Sequence, residues 1–298
     1  MTNRKIAIHN TFAEAFNMKA SRIIVTADNQ RWAKNAVTSL TGFATSVIAC
    51  GVEAGIEHSM KKSETPDNRV GFSVLLFSMS RSELEKQLET RVGQCILTCP
   101  TTAVFSGIDG DDMIPLGKNL RYFGDGHQIA KKIGGKRFWR IPVMDGEFLC
   151  EEKTARVPAI GGGNILILAK NRDSCLKACE SAIDSIREHP NIITPFPGGV
   201  VRSGSKVGSR YKALIASTND AFCPTLKEKV ETQLNENVGC VMEIVINGLT
   251  RTDIESAMKE SIYAIEKSKI KKDIVAISAG NYGGKLGQHK FYLKKIVK

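Results

Sequence analysis

The first third of the chain alternates short apolar runs with segments in which apolar residues recur three and four positions apart. Short β-branched runs predict strands, whereas the wider spacing predicts helices with one buried face. In chain order the pattern predicts a strand at 22–27, a helix at 30–40, strands at 43–50 and 70–79, a helix that Ser80 caps, and a strand at 94–99. Residues 53–69 are expected to form a polar connection. The predicted order is βαββαβ.

The same order recurs in the second half, where Ile165 lies 142 residues after Ile23. The pattern predicts strands at 164–169, 198–202, 211–216, 240–246 and 273–278, with one helix capped by Asp173 and another capped by Thr250. The apolar face of the first of these helices is expected to contain Leu176, Cys179, Ala182, Ile183 and Ile186. A polar insertion at 217–238 makes this second copy longer than the first.

Each half therefore fits a split βαβ unit, and we predict an α+β fold with two ferredoxin-like lobes and antiparallel sheets. Such a sheet carries both helices on one face, so its other face must meet solvent, a second lobe or another subunit. The bridge at 107–163 contains an alternating strand at 139–143. We place the boundary near Asp145, which gives an N-terminal lobe at 1–145 and a C-terminal lobe at 146–298.

The composition is that of a globular protein with a positive net charge. Of 298 residues, 42% are hydrophobic and 24% are charged, and the formal net charge is +11. A positive field attracts acidic ligands or nucleic acid, although a solvated basic surface produces the same balance. The lysine-rich stretch at 267–272 fits the solvated surface better.

Eight cysteines occur without a CxxC pair, and the five histidines do not cluster near them. We therefore expect free thiols in a reducing cytosol and no metal site. Residues 1–8 lack the apolar core of a signal peptide, and no apolar run approaches the roughly 20 residues that span a membrane. The predicted location is cytoplasmic, with no membrane partner.

Two glycine-rich loops in the second half are candidates for one binding cleft. Residues 277–287 follow an apolar run and contain four glycines, and residues 195–209 combine glycine, serine and lysine. Glycine allows backbone N–H groups to approach a bound group, although each loop can equally be an ordinary turn. A polar loop at 217–224 is either a further contact or a locally bonded turn. The expected binding residues are Pro197, Gly198, Gly199, Arg202, Ser205, Lys206, Asn219, Asp220, Asn281, Tyr282 and Lys285.

Glu243 is the charged residue that the strand pattern singles out. In the predicted strand it shares a face with Val241 and Val245, whereas Met242 and Ile244 point toward the helices. A carboxylate among valines can be desolvated, which raises its pKa and suits proton transfer near neutral pH. The alternative is a rim glutamate paired with a nearby lysine or arginine. The sequence contains no G-x-S-x-G elbow, no phosphate-binding G-x-x-x-x-G-K-[ST] loop and no H-E-x-x-H motif.

Several short sequence motifs, taken together and in their order along the chain, resemble those of the formylmethanofuran:tetrahydromethanopterin formyltransferase family. They occupy residues 11–16, 41–48, 53–57, 63–67, 93–95, 195–199, 217–220, 243–249 and 278–287. The stretch at 119–126 and Arg202 look more like the branch found in methylotrophic bacteria than the methanogen branch. Because these motifs are distributed along the whole chain, the resemblance covers both predicted lobes.

The resemblance implies transfer of a formyl group between N5 of tetrahydromethanopterin and the primary amine of methanofuran, within formaldehyde oxidation. It implies a homodimer or homotetramer, and no metal or permanently bound cofactor. The family's catalytic glutamate falls on Glu243. Both coenzymes carry acidic groups, which suit Arg202, Lys206 and Lys285. In the bacterial branch the protein resembles one subunit of a larger formyltransferase/hydrolase complex.

Two rival functions use the same fold. Ferredoxin-like sheets also bind RNA through aromatic residues on the open face, but only 6% of this chain is aromatic, so no nucleic-acid partner is expected. The other rival is a non-catalytic scaffold subunit of a formyltransferase/hydrolase complex. Retention of Glu243 and of both glycine-rich loops favours catalysis over a scaffold role.

Overall fold

The computed structural model describes residues 5–298, which form a mixture of helices and strands. The strands are β1 (Ala7–Ile8), β2 (Phe12–Ala27), β3 (Glu53–Met60), β4 (Val70–Ser78), β5 (Ala103–Ser106), β6 (Asp112–Pro115), β7 (Ile129–Ile133), β8 (Lys136–Val143), β9 (Gly146–Glu151), β10 (Lys153–Ala169), β11 (Ile192–Ile193), β12 (Lys206–Val207), β13 (Ala216–Ser217), β14 (Cys240–Gly248), β15 (Ile274–Ser278) and β16 (His289–Tyr292). The helices are α1 (Gln30–Thr41), α2 (Val47–Cys50), α3 (Arg81–Arg91), α4 (Gly117–Leu120), α5 (Arg172–Ile186), α6 (Arg251–Lys267) and α7 (Leu293–Ile296). The prediction that residues 1–8 form no signal peptide lies partly outside the described residues.

The chain divides into two compact units. The N-terminal unit comprises residues 18–159 and 190–195, and the C-terminal unit comprises the described residues up to Asn17 together with 160–189 and 196–298. Asp145, the predicted boundary, lies in the turn between β8 and β9, where its carboxylate accepts a hydrogen bond from the Thr101 amide at 2.7 Å. A division into lobes at 1–145 and 146–298 stays a prediction.

The N-terminal unit has the predicted ferredoxin-like arrangement. Its strands lie in the order β3-β4-β2-β5, and each adjacent pair is antiparallel. Helices α1 and α3 pack against one face of this sheet, because Val37, Leu40, Leu84 and Leu88 form one buried cluster with alternate strand residues such as Val25. The predicted cap of α3 also forms, since the Ser80 side chain accepts a hydrogen bond from the Glu83 amide.

The C-terminal unit repeats this arrangement, except that the edge strand expected beside β14 is not a full strand. Strand β10 lies between β14 and β15 and is antiparallel to both. On the outer edge of β14, where a fourth strand would be expected, Val201 forms an isolated antiparallel bridge with Glu243. Helix α6 approaches β10 so closely that a Cβ at Gly163 would lie 2.4 Å from Ile254 Cγ2, so only glycine fits there. The α+β fold with two ferredoxin-like repeats is therefore confirmed.

Three predictions in the first repeat are wrong. Residues 43–50 end in the helical turn α2, whose N-terminus Ser46 caps, and are not a strand. Residues 53–69 contain β3, which the pattern missed because its buried positions include two carboxylates, Glu53 and Glu57. Residues 94–99 belong to a π-helical turn and the bends after it, and strand β5 forms only beyond Pro100.

The second repeat differs from prediction at its loops. Residues 198–202 contribute a 3₁₀ turn, Pro197–Gly199, and the isolated Val201 bridge instead of a strand. Residues 211–216 form no strand before β13 and expose Tyr211 and Ile215. Helix α5 is capped by Asn171 and not by Asp173, and Leu176 on that helix is 42% exposed. Pairing along these two runs is confined to short stretches. Val201 forms a lone bridge with Glu243, and beside the two-residue strand β13 the Ile215 carbonyl accepts a hydrogen bond from the Gly208 amide.

The insertion at 217–238 covers part of the sheet face that the fold was expected to leave bare. Its Phe222, Leu234 and Val238 pack in one apolar cluster with Leu166 of β10 and Ala276 of β15. The strand face that carries Glu243 is therefore lined partly by the chain's own insertion. Across residues 5–298, no helix is both long and apolar enough to cross a membrane.

Candidate active site

Glu243 lies in the middle of a row of side chains that crosses the sheet of the C-terminal unit. Leu166 of β10 is its register partner on one side, and Ser278 of β15 is the partner of Leu166 in turn. On the other side, Glu243 and Val201 exchange backbone hydrogen bonds of 2.8 and 2.9 Å. Because Leu166, Ser278 and Val201 are all buried, the half-buried carboxylate of Glu243 projects from an apolar surface.

The environment of Glu243 favours the neutral acid. Burial raises the pKa of its carboxyl group from 4.5 to about 7, because removal from water disfavours the ionised form. Among the described residues, no lysine, arginine or hydrogen-bond donor pairs with this carboxylate. The structure therefore does not have the rim ion pair that was the alternative, and Glu243 can hold or release a proton near neutral pH.

Asn164 and Gly280 stand beside this carboxylate. Asn164 accepts a hydrogen bond from the Gly280 amide at 2.6 Å, and its own amide donates to the carbonyls of Gly162 and Gly280 at 3.1 and 3.2 Å. A Cβ added at Gly280 would lie 3.7 Å from Glu243 Oε1. The Gly280 backbone therefore lies close beside the Glu243 carboxylate, within van der Waals reach of a methyl group.

The loop that follows β15 is organised around an internal carboxylate. Glu14 Oε2 accepts hydrogen bonds from the amides of Tyr282 and Gly284, at 2.7 and 2.8 Å, and Glu14 Oε1 accepts them from Leu286 and Gly287, at 2.7 and 2.6 Å. Burial alone would raise the pKa of Glu14, but these four N–H groups lower it below its ordinary value. The expectation that this loop aims its N–H groups at a bound group is wrong for these four amides.

Sequence reasoning did not single out Glu14, Asn164 or Gly280 as site residues. Glu14 is only 1% exposed although it is charged, and Asn164 is 6% exposed. The sequence did contain one indication. Glu14 lies within the motif at 11–16 and Gly280 within the motif at 278–287, and both motifs are among those that carry the family resemblance. Asn164 opens a predicted strand and carries no such signal.

The loop at 195–209 meets the polar loop at 217–224. Lys206 forms an ion pair with Asp220, which lowers the pKa of the Asp220 carboxyl group. A Cβ at Gly204 would lie 2.9 Å from the Cβ of Asn219, so the two loops are in close contact. Lys206 is therefore not simply solvated, and much of its charge is offset by Asp220 before any ligand binds.

The remaining predicted binding residues also lie in the C-terminal unit. Arg202 and Lys285 are exposed, and the ring of Tyr282 lies 6.0 Å from that of Phe16. The side chain of Asn281 bonds to Thr11 Oγ1 at 3.1 Å and so helps to close the loop. The others are the exposed Pro197 and Gly198, the buried Gly199 and the partly exposed Ser205.

The described residues offer no arrangement for a metal ion. No group of three or more histidine, cysteine or acidic side chains in residues 5–298 is placed to hold one. The cysteines of this part of the chain are free thiols, and burial and contact with Cys175 raise the pKa of Cys240 to about 12. The raised pKa keeps the Cys240 thiol protonated at neutral pH, so this thiol is a poor nucleophile and a poor metal ligand.

Two family models match the chain along its length. The model described as formylmethanofuran-tetrahydromethanopterin formyltransferase matches residues 1–143, and the model described as FTR, proximal lobe, matches residues 146–296. A formylmethanofuran–tetrahydromethanopterin formyltransferase from Methylococcus capsulatus is 61% identical over 98% of this chain and 98% of its own length. These matches extend over both predicted lobes.

Two solved structures have the same fold. A chain of the formyltransferase/hydrolase complex from Methylorubrum extorquens, solved in complex with methylofuran, superposes with a TM-score of 0.96 at 48% identity and covers 98% of this chain and 97% of its own. The formyltransferase from Methanosarcina barkeri gives a TM-score of 0.92 at 45% identity over 98% of each chain. The higher identity with the Methylococcus relative confirms the expected likeness to the bacterial branch.

Proposed function

Because this chain belongs to the formylmethanofuran–tetrahydromethanopterin formyltransferase family, we propose that it transfers a formyl group between the primary amine of methanofuran and N5 of tetrahydromethanopterin. It is an acyltransferase, and the two coenzymes are its substrates. The chemical proposal rests on the half-buried carboxylate of Glu243, which has a raised pKa, pairs with no described cation and lies beside the Gly280 backbone.

The reaction needs one proton relay. The attacking amine forms a C–N bond to the formyl carbon and gives a tetrahedral intermediate, whose collapse breaks the C–N bond to the leaving amine. Glu243 takes the proton that the attacking nitrogen loses and returns it to the leaving nitrogen. A group with a pKa near 7 exists in both forms at neutral pH, which suits both halves of this relay. Because the amine attacks the carbonyl directly, the mechanism requires no covalent enzyme adduct, metal or permanently bound cofactor.

The two glycine-rich loops and the polar loop are proposed to bind the coenzymes around this carboxylate. The 195–209 loop bonds to the Glu243 backbone through Val201. In the 277–287 loop, Gly280 bonds to Asn164 and lies beside the Glu243 carboxylate. The candidate contacts on these loops are Pro197, Gly198, Gly199, Arg202, Ser205, Lys206, Asn219, Asp220, Asn281, Tyr282 and Lys285. Lys206 and Asp220 would act as a pair, since their charges already meet.

A direct assay tests the proposed function. The purified full chain is mixed with formylmethanofuran and tetrahydromethanopterin, and the formylated pterin is measured. We expect enzyme-dependent transfer that is reversible when the two products are supplied. A chain that shows no transfer in either direction, yet assembles with other subunits, would support the scaffold alternative.

The relative from Methylorubrum extorquens is part of a formyltransferase/hydrolase complex. We propose that this chain forms a homodimer or homotetramer and associates with further subunits of such a complex. Light scattering of the purified chain, and of the chain co-purified from its source, measures both states. Cytoplasmic location stays a prediction.

Exposed cations on the loops are expected to make coenzyme binding depend on salt. The family resemblance implies acidic groups on both coenzymes, and exposed charges are screened over about 10 Å at 0.1 M salt. Lys285→Gln should raise the KM for methanofuran roughly two- to fivefold at low salt and flatten its rise with salt, as loss of one exposed charge contact predicts. Steady-state kinetics across a salt series measures both effects.

Lys206→Gln is the matched control, because the charge of Lys206 is already offset by Asp220. Its effect on KM should be smaller than that of Lys285→Gln. A KM that is flat from low to high salt in the parent chain would remove the electrostatic contribution from the proposal.

A further inference from the structure

We propose that Glu14 is a positioning residue for formyl transfer, whose carboxylate holds the glycine-rich loop against Glu243. The proposal rests on the proposed function, since it assigns Glu14 a part in that reaction. Glu14 lies on β2, well before the loop in sequence, and it touches no reacting atom in the proposed mechanism. Its action would pass through the backbone of residues 280–287.

The bonding at Glu14 is complete and specific to a carboxylate. An ionised carboxylate has two oxygens with about four lone-pair positions and no donor. The four amides of Tyr282, Gly284, Leu286 and Gly287 fill these positions at 2.6 to 2.8 Å. A glutamine would accept at one oxygen only, and its amide group would face two of the loop N–H groups donor to donor.

The shape of the loop depends on this close contact. A Cβ at Gly287 would lie 2.6 Å from the Ala15 carbonyl oxygen and 2.7 Å from Glu14 Cγ, so glycine is required for the loop to approach. Immediately after the loop, β16 pairs with β2 and places Lys290 opposite Glu14. The segment from Gly280 to Tyr292 therefore closes around one buried carboxylate.

A continuous chain of hydrogen bonds connects Glu14 to the neighbourhood of Glu243. The Glu14 amide donates to the Gly280 carbonyl at 3.1 Å, and the Gly280 amide donates to Asn164 at 2.6 Å. Asn164 is the register partner of Val245, two residues from Glu243 on the same strand face. Gly280, which bonds to both Glu14 and Asn164, lies so near the catalytic candidate that a Cβ on it would be 3.7 Å from Glu243 Oε1.

Because Glu14 occupies part of the loop, it also determines which groups of the loop are left to bind a ligand. Four loop amides are occupied internally, whereas the side chain of Lys285 is exposed. The ring of Tyr282 lies next to Phe16, two residues beyond Glu14. Loosening of the loop should therefore weaken coenzyme binding and displace Gly280 from the reacting groups together.

The test is Glu14→Gln in the full chain, read by kinetics and by hydrogen exchange. We expect the coenzyme KM to rise and kcat to fall, each by roughly 10-fold or more, the size expected when hydrogen bonds to a charged acceptor are lost. Backbone exchange should accelerate selectively at residues 282, 284, 286 and 287. General destabilisation instead lowers kcat in proportion to the unfolded fraction and leaves KM unchanged.

Glu57→Gln is the matched control. Glu57 is a buried carboxylate in the N-terminal unit that accepts hydrogen bonds from Arg22, Ser73 and the Asn191 amide. Its loss should lower the melting temperature without raising the coenzyme KM. If Glu14→Gln and Glu57→Gln behave alike in KM and in exchange at the loop, Glu14 has a structural role only and the proposal fails.

If Glu14→Gln does not fold, Glu14→Asp keeps the charge and shortens the side chain by one carbon. It should raise the KM and loop exchange by smaller amounts in the same direction, and parental values of both would overturn the proposal. A parent chain without formyl-transfer activity would sink the proposed function. Loop exchange in the variants would still decide whether Glu14 holds the loop.

Discussion

Replacing Glu243 with glutamine is expected to lower kcat by about 10²- to 10⁴-fold, the usual loss when a general acid–base group is removed. Glutamine keeps the size and a polar end but cannot exchange the proton that the tetrahedral intermediate must pass on. The Kd values of the coenzymes should change far less, because the amide can still contact a bound ligand. Single-turnover kinetics and equilibrium binding measure the two effects separately.

Circular dichroism of the Glu243 variant checks that its fold is intact, and Glu57→Gln shows what loss of an unrelated buried carboxylate does to turnover. A folded Glu243→Gln chain whose kcat stays within about threefold of the parent would move the proton relay elsewhere. Asp220 or a bound water would then be the next candidate. The ion pair with Lys206 lowers the pKa of Asp220, which makes it the weaker base.

The same substitution is expected to stabilise the folded chain at alkaline pH. The pKa of Glu243 is about 7 in the fold against 4.5 when unperturbed, so the folded state favours the protonated form. The stability that this proton contributes is fully present below pH 4.5 and is lost as pH rises through 7. Glu243→Gln should therefore raise the free energy of unfolding by about 1–3 kcal/mol above pH 8 and much less near pH 4.5.

Urea denaturation of both chains between pH 4.5 and 9 measures this difference. The variant-minus-parent difference is the quantity to plot, because Glu14 and Glu57 have lowered pKa values and lose stability as pH falls in both chains. Stability curves that run parallel across the whole range would show that Glu243 does not titrate differently in the folded and unfolded chains.

Helices and strands in which apolar residues recur at a regular spacing could be predicted from the sequence. Helices α1 and α6 carry apolar residues at helical spacing behind a capping residue, and each forms with those apolar residues on its buried face. Strand β14 forms as expected, with Ile244 and Ile246 buried beneath the helices. These segments contain in their own sequence both the apolar pattern and the signals that start them.

Elements whose stability comes from distant partners were missed. Strand β3 contains Glu57, whose carboxylate is stabilised by Arg22 on β2, so a buried strand appears polar in the sequence. Residues 211–216 are apolar enough for a strand, yet they remain exposed. A strand forms where a neighbour accepts its hydrogen bonds, and the local pattern does not contain that neighbour.

The sequence by itself determined that Glu243 lies on the strand face away from the helices, because side chains alternate along any strand. It also determined that the second half of the chain contains two glycine-rich loops, at 195–209 and 277–287. Only the tertiary structure decided that Asn164 and Gly280 border the carboxylate, and that the second loop closes on Glu14. The physical reason is that a loop has no internal hydrogen-bond ladder, so its conformation depends on partners that only the fold brings near.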